Sequence, residues 1–329
     1  MRISCKDETI ERTMKKRQAP HPIIEQFITQ ERLPPVFAET AHDYYLPLSD
    51  YIAKRRRSST DTLVVGVNGA QGTGKSTLSL LLKQLLQAQQ LECVVISIDD
   101  LYLTREERLR LSEEVHPLLK TRGVPGTHDL DLGLNLIAAL KAATRDTLIP
   151  IPHFDKAQDE RSPSQYWPVH SGPVDVIVLE GWCVGALPSK LTGNPINELE
   201  RSHDADGTWR RYVEAQLVDY QRLFTQLDLL LMLKAPSMEC IIAWRTLQEE
   251  KLIAKVEAAA QASNSPTGAD APNKGIMNKD ELLWFIMHYE RLTRSMLETM
   301  PEYANVLLNL DEKHRIVDAH YRDAHEAKP

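Results

Sequence analysis

Apolar residues fall along the chain in two kinds of pattern. Short continuous runs, "TLVVGVN" (62–68), "CVVISI" (93–98), "VDVIVLEG" (174–181), "DLLLMLKA" (228–235) and "ANVLLNL" (304–310), predict strands buried on both faces. Between them lie longer stretches with apolar residues every three or four positions, at 76–89, 104–115, 129–143, 209–227, 238–262 and 278–300. Thr104 followed by Glu107 predicts a capping box at the start of the second of these, and Asp129 is placed to cap the third. "TLIPIPHF" (147–154) reads as a short or edge strand because its prolines cannot donate to a ladder. Strands alternating with helices predict an α/β fold with a mainly parallel sheet and ligands beyond the carboxyl ends of its strands.

Other segments break this rhythm. Residues 1–60 carry proline-punctuated helical signals and are expected to form a helical extension packed on the core. "QASNSPTGADAPNKG" (261–275) reads as a loop or linker, and residues 315–329 as a tail. Lys54-Arg55-Arg56-Arg57, the one dense basic run, reads as a solvated linker.

Composition narrows the class. The chain has 329 residues, 42% of them hydrophobic, and a net charge of −7, which argues against a general nucleic-acid coat protein. The four cysteines, Cys5, Cys93, Cys183 and Cys240, form no close pair or metal spacing and read as reduced thiols of a cytoplasmic protein. No apolar run reaches membrane-spanning length, and no signal-peptide core is expected at the N-terminus.

The chemistry begins at "GAQGTGKST". Gly69, Ala70, Gln71, Gly72, Thr73, Gly74, Lys75 and Ser76 match G-x-x-x-x-G-K-[ST] between a strand and a helix, with Thr77 next in the first turn. The glycines let the backbone approach closely, and the freed N–H groups and the helix N-terminus form an anion nest. Lys75 adds a full charge for the β- and γ-phosphates, and Ser76 a hydroxyl for Mg²⁺. The expected ligand is MgATP. No Asn-Lys-x-Asp guanine motif and no Leu-Ser-Gly-Gly transporter motif is present.

Asp99 and Asp100 follow the second strand, at the ligand edge of the sheet. A carboxylate there can accept the proton of a hydroxyl and align it with the γ-phosphate; the pair would equally serve as a solvated cap. Tyr102 is either an apolar plug or a hydroxyl lining the acceptor pocket. Glu180-Gly181 ends an apolar strand in Walker-B fashion, with Glu180 beside the Mg²⁺ shell and Gly181 leaving room for substrate.

"GAQGTGKST", "SIDDLYLT", "RGVPGTHDL" (122–130), "PHFDKAQDER" (152–161), "VLEGWCVG" (178–185) and "AWRTLQEE" (243–250) occur in this order, and together they resemble the D-glycerate 3-kinase family of P-loop kinases. That family is similar, more distantly, to uridine kinase, phosphoribulokinase and bacterial pantothenate kinase. The resemblance spans roughly residues 60–310. It implies a three-layer α/β/α core over 61–314 with a helical lid near 238–276. It implies Asp99 as general base, Glu180 as the Mg²⁺-linked acid and Arg245 as a lid arginine over the phosphates. If the acceptor is a small hydroxy acid, Arg122, Lys156 and Arg161 are the candidate cations for its carboxylate. His128 and His153 are candidate contacts or satisfied loop histidines, and Asp129 has its capping role.

Leu101 and Phe154 stand where plant-like members would carry Phe and Tyr, and residues 188–207 are not an obvious part of the plant form. These departures touch the acceptor side. The expected function is ATP-dependent phosphorylation of a metabolite hydroxyl, with D-glycerate first. A nucleoside or pantothenate-like alcohol, or a non-catalytic ATP-binding regulator, are the alternatives.

Overall fold

The computed structural model describes residues 21–188, 193–262 and 277–322. In chain order these form α1 (Pro22–Glu31), α2 (Phe37–Thr40), α3 (Leu46–Arg57), β1 (Leu63–Gly69), α4 (Lys75–Ala88), β2 (Cys93–Ser97), α5 (Arg105–Glu114) and α6 (Leu130–Lys141). Four short strands follow: β3 (Leu148–Pro150), β4 (Phe154–Asp155), β5 (Glu160–Arg161) and β6 (Val169–Ser171). Then come β7 (Val176–Gly181), α7 (Glu198–His203), α8 (Thr208–Phe224), β8 (Leu229–Lys234), α9 (Met238–Ala262), α10 (Lys279–Thr299), β9 (Val306–Leu310) and β10 (Ile316–Tyr321).

The main sheet has the order β10-β9-β8-β1-β7-β2, parallel except for β10 against β9. The apolar runs are continuous because both faces are covered. In β1, Val64 joins one core while Leu63, Val65 and Val67 join the other. β7 divides the same way, with Ile177 and Leu179 opposite Val176 and Val178. This is the two-residue alternation of a strand buried on both sides. α6, α8 and much of α10 cover the first face; α1, α3, α4 and the start of α9 cover the second. The result is the mainly parallel sheet expected from the strand–helix alternation, in the three-layer arrangement that the resemblance implies.

Residues 147–154 form short edge strands, as expected, outside the main sheet: β3 pairs with β6 and β4 with β5. Three features differ from the sequence reading. Lys54–Arg57 is no linker but the last turn of α3, where cations complement the negative end of the helix dipole. Arg56 there pairs with Asp175 at 2.8 Å, and Arg57 donates to the Gln89 carbonyl. The segment read as a tail contains β10, whose period is hidden because most of its side chains are exposed on this edge strand. Gly181 leaves no space for substrate, since a Cβ there would lie 2.3 Å from Ile98 Cγ2. Residues 263–275 of the expected loop, and Cys5, lie outside the described residues. Among the described residues no helix is long and apolar enough to cross a membrane.

Candidate active site

β1 runs straight into the phosphate loop. Thr73 closes the loop from within, its hydroxyl donating to the Ala70 carbonyl at 2.8 Å. Gly72 has φ +82°, and a Cβ there would meet Trp244 Cβ at 3.4 Å and Arg245 N at 3.7 Å. The second turn of α9 therefore lies in contact with the loop, and it is the positive φ that favours glycine here. Gly74 is the residue before α4, so Lys75 and Ser76 open the helix with its free N–H groups facing the cleft.

Glu180, at the end of β7, faces this helix start. Its carboxylate is 5% exposed; Oε1 accepts from the Ser76 hydroxyl at 3.0 Å and Oε2 lies 4.0 Å from Lys75 Nζ. Oε2 is buried without a hydrogen-bond partner. A buried carboxylate with a spare oxygen and a neighbouring hydroxyl offer oxygen ligands that suit a divalent cation carried in by phosphate oxygens, with the Lys75 ammonium beside them for the phosphates themselves.

Asp99 sits in a 3₁₀ turn after β2, on the neighbouring strand end. Tyr102 donates to its Oδ1 at 2.8 Å, and Lys156 Nζ lies 2.6 Å from its Oδ2. Burial works against the charge of Asp99. The Lys156 and Lys75 ammonium groups and the hydrogen bonds from Lys156 and Tyr102 outweigh it and hold the carboxyl at about 2.

Lys75, Ser76, Asp99, Tyr102, Arg122, Lys156, Glu180 and Arg245 line one cleft of about 1340 Å³. That is more than a single small ligand needs, and leaves room for a nucleotide and an acceptor together. Seven lysines and arginines line it against four carboxylates, in a chain of net charge −7. The field is therefore focused to favour anions where the phosphate loop opens. Arg245 is held by Glu249 at 2.8 Å, which leaves its remaining guanidinium N–H groups for the cleft.

The other sequence candidates have structural employment. Asp100 turns away from the cleft and accepts from the Phe154 N–H at 3.0 Å, with His153 3.4 Å away, tying the β2 turn to β4. Arg161 donates to the Tyr102 carbonyl at 2.7 Å and pairs with Asp129, which also caps α6 through the Leu132 N–H. His128 lies beneath Tyr102, stacked at 4.5 Å, with Nδ1 2.6 Å from the Tyr220 hydroxyl.

Burial lowers His128 and His288 from 6.5 to about 4, so both are neutral at pH 7. Below pH 6.5 the unfolded chain binds these protons, and the folded chain does not until about pH 4. Stability is therefore expected to fall as pH is lowered from 6.5 towards 4, by up to roughly 3 kcal/mol for each histidine. Urea midpoints at pH 7 and pH 5 check this; equal midpoints would contradict it.

Several site residues escaped the sequence. Gly123, at φ +132°, lets Tyr289 approach so closely that any Cβ would collide with its hydroxyl. Tyr289 donates to the Arg122 carbonyl at 3.0 Å and Trp182 Nε1 to the Gly123 carbonyl at 2.9 Å, so two aromatic donors fix the backbone that carries Arg122. Asn68 in turn holds the Trp182 and Val184 carbonyls. Arg108, only 1% exposed, donates to the carbonyls of Leu103, Lys120 and Asp159 and binds together three segments beside the cleft. The first glycine of "RGVPG" and Arg108, one of three arginines in α5, were the available signals.

No family model matches the chain. It is 33% identical over 202 residues to the chloroplastic D-glycerate 3-kinase of Arabidopsis thaliana, covering 54% of this chain and 44% of that protein. It is 31% identical over 211 residues to the probable ATP-dependent kinase TDA10 of Saccharomyces cerevisiae, covering 59% of this chain and 69% of that protein. The solved structure of D-glycerate 3-kinase from Cryptococcus neoformans var. grubii serotype A matches with a TM-score of 0.66 and 27% identity, over 84% of this chain and 97% of that one. The chain is an ATP-dependent small-molecule kinase and belongs to the D-glycerate 3-kinase family of P-loop kinases.

Proposed function

We propose that the chain transfers the γ-phosphoryl group of ATP, in the presence of Mg²⁺, to a hydroxyl of D-glycerate. The observation that carries this reading is the convergence of Lys75, Asp99 and Arg122 on one cleft. Lys75 and the N-terminus of α4 bind and orient the β- and γ-phosphates. Ser76 and Glu180 are the residues that would hold Mg²⁺, which when bound neutralises phosphate charge. Arg122, a quarter exposed and backbone-fixed, grips the acceptor carboxylate. The acceptor hydroxyl is thereby brought to Asp99, which takes its proton as the oxygen bonds to phosphorus and the bond to ADP breaks. Arg245, on the helix that lies over the phosphate loop, stabilises charge spreading on the transferred group.

The names of the relatives support D-glycerate as acceptor, and the Arg122 guanidinium in the same cleft as Asp99 supports a carboxylate on it. Free thiols buried at Cys93 and Cys183 support a reducing, cytoplasmic setting. An ADP-release assay with D-glycerate, L-glycerate, uridine and pantothenate tests the acceptor. D-glycerate is expected to stimulate release most; stimulation by uridine or pantothenate alone would overturn the reading.

A further inference from the structure

Lys156 and Asp159 stand at the two ends of the turn joining β4 and β5, and each reaches a different pole of the acceptor site. Lys156 Nζ lies 2.6 Å from Asp99 Oδ2, on the carboxylate assigned to the acceptor hydroxyl. Asp159 contacts Arg122 Nη1 through Oδ1 and Arg108 Nη2 through Oδ2 at 3.0 Å, and so covers the guanidinium assigned to the acceptor carboxylate.

The turn is built to hold this pose. Asp155 Oδ1 accepts from the N–H groups of Ala157 at 2.9 Å and Gln158 at 3.1 Å, and Asp159 has φ +55°. The ladder beneath it has only two pairs, Phe154 with Arg161 and Asp155 with Glu160.

We infer that this turn is a built-in stand-in for the acceptor: its Asp159 carboxylate occupies the acid-binding arginine and its Lys156 ammonium caps the base until a hydroxy acid replaces both. The inference rests on the reading that the acceptor is a hydroxy acid. Exposure decides which contacts exchange. The Lys156 side chain is 58% exposed and that of Arg122 25%, so their pairs are screened and open at small cost. Arg108 is 1% exposed and also donates to the Asp159 main chain, so that contact stays and anchors the turn as the Asp159–Arg122 pair opens. The consequence is economy of ATP. With Asp99 capped, no base is free to deprotonate a water, and hydrolysis of ATP to ADP and phosphate is held back until the acceptor arrives. The acceptor's own acid group is what uncovers the site, so neutral alcohols are poor at opening it.

Two variants of the full chain test this with effects opposite to mere damage. Lys156→Ala is expected to raise acceptor-free ATP hydrolysis roughly tenfold, a small part of what a positioned base contributes, and Lys156→Arg to restore the low rate. Asp159→Asn, which tolerates the same left-handed backbone, is expected to lower the KM for D-glycerate roughly two- to fivefold, the size of a partly exposed ion pair. Unchanged or reduced hydrolysis in Lys156→Ala, or a raised KM in Asp159→Asn, overturns the inference. If the wild-type chain does not phosphorylate D-glycerate, the acceptor reading fails, and the hydrolysis comparison alone then decides the inference.

Discussion

Replacing Asp99 with Asn is expected to slow phosphoryl transfer by roughly 10²–10⁴ while ATP still binds. The substitution keeps the shape of the side chain and an oxygen that can accept from Tyr102, so the turn after β2 has no reason to move. It removes the proton acceptor. It also removes the charge opposite Lys156, which lies 2.6 Å from Oδ2. ATP binding is spared because the phosphate loop belongs to β1 and α4, and losing the Asp99 charge near Lys75 does not oppose an incoming triphosphate. Single-turnover phosphorylation with saturating ATP gives the chemical step directly. A rate near that of the wild type would remove Asp99 from the mechanism.

Lys75→Ala is expected to weaken ATP binding by roughly ten- to a hundredfold, the range for loss of a charge-assisted hydrogen bond of about 1.5–3 kcal/mol. The lysine is 17% exposed and lies between the phosphate loop and Glu180. Removing it takes away the charge aimed at the phosphates and leaves the Glu180 carboxylate buried beside the incoming triphosphate. Both changes act against the bound state. Titration calorimetry measures the effect, and an unchanged dissociation constant would contradict the role given to the loop.

What was legible in the sequence was what is local. The phosphate loop is contiguous, so its glycines, Lys75 and Ser76 could be assigned from spacing and from the strand and helix around them. Asp99 and Glu180 were legible because each ends a strand, and strand ends in a parallel sheet share one edge. Thr104 with Glu107 and Asp129 with Leu132 were legible as caps for the same reason, and both are formed.

The acceptor side was not legible, because its partners are distant in the chain. Asp100 and Arg161 lie next to site residues in the sequence, but one secures β4 and the other the Tyr102 carbonyl. His128 shares a motif with Arg122 yet is spent on Tyr102 and Tyr220. Asp159 and Arg108 passed unnoticed because an acid in a turn and an arginine on a highly charged helix are ordinary until the loops between them are folded. Tyr289 and Trp182 act only through main-chain carbonyls, which leave no trace in side-chain pattern.

The same division explains how the fold serves the chemistry. The phosphate-loop end of the cleft is carried by the sheet and the first turn of α4, with β1 buried along its whole length. The end proposed for the acceptor is carried by short ladders and loops, fixed at a few points by Arg108, Trp182 and Tyr289. Under the proposed function, a donor end built on the sheet beside an acceptor end built on loops suits a kinase whose acceptor side closes on its substrate.

The most direct test is ³¹P NMR of the chain incubated with MgATP and D-glycerate. The account predicts that ADP and a phosphomonoester of glycerate grow in one for one as ATP declines. Growth of ADP with inorganic phosphate alone, or an unchanged ATP spectrum, would contradict it.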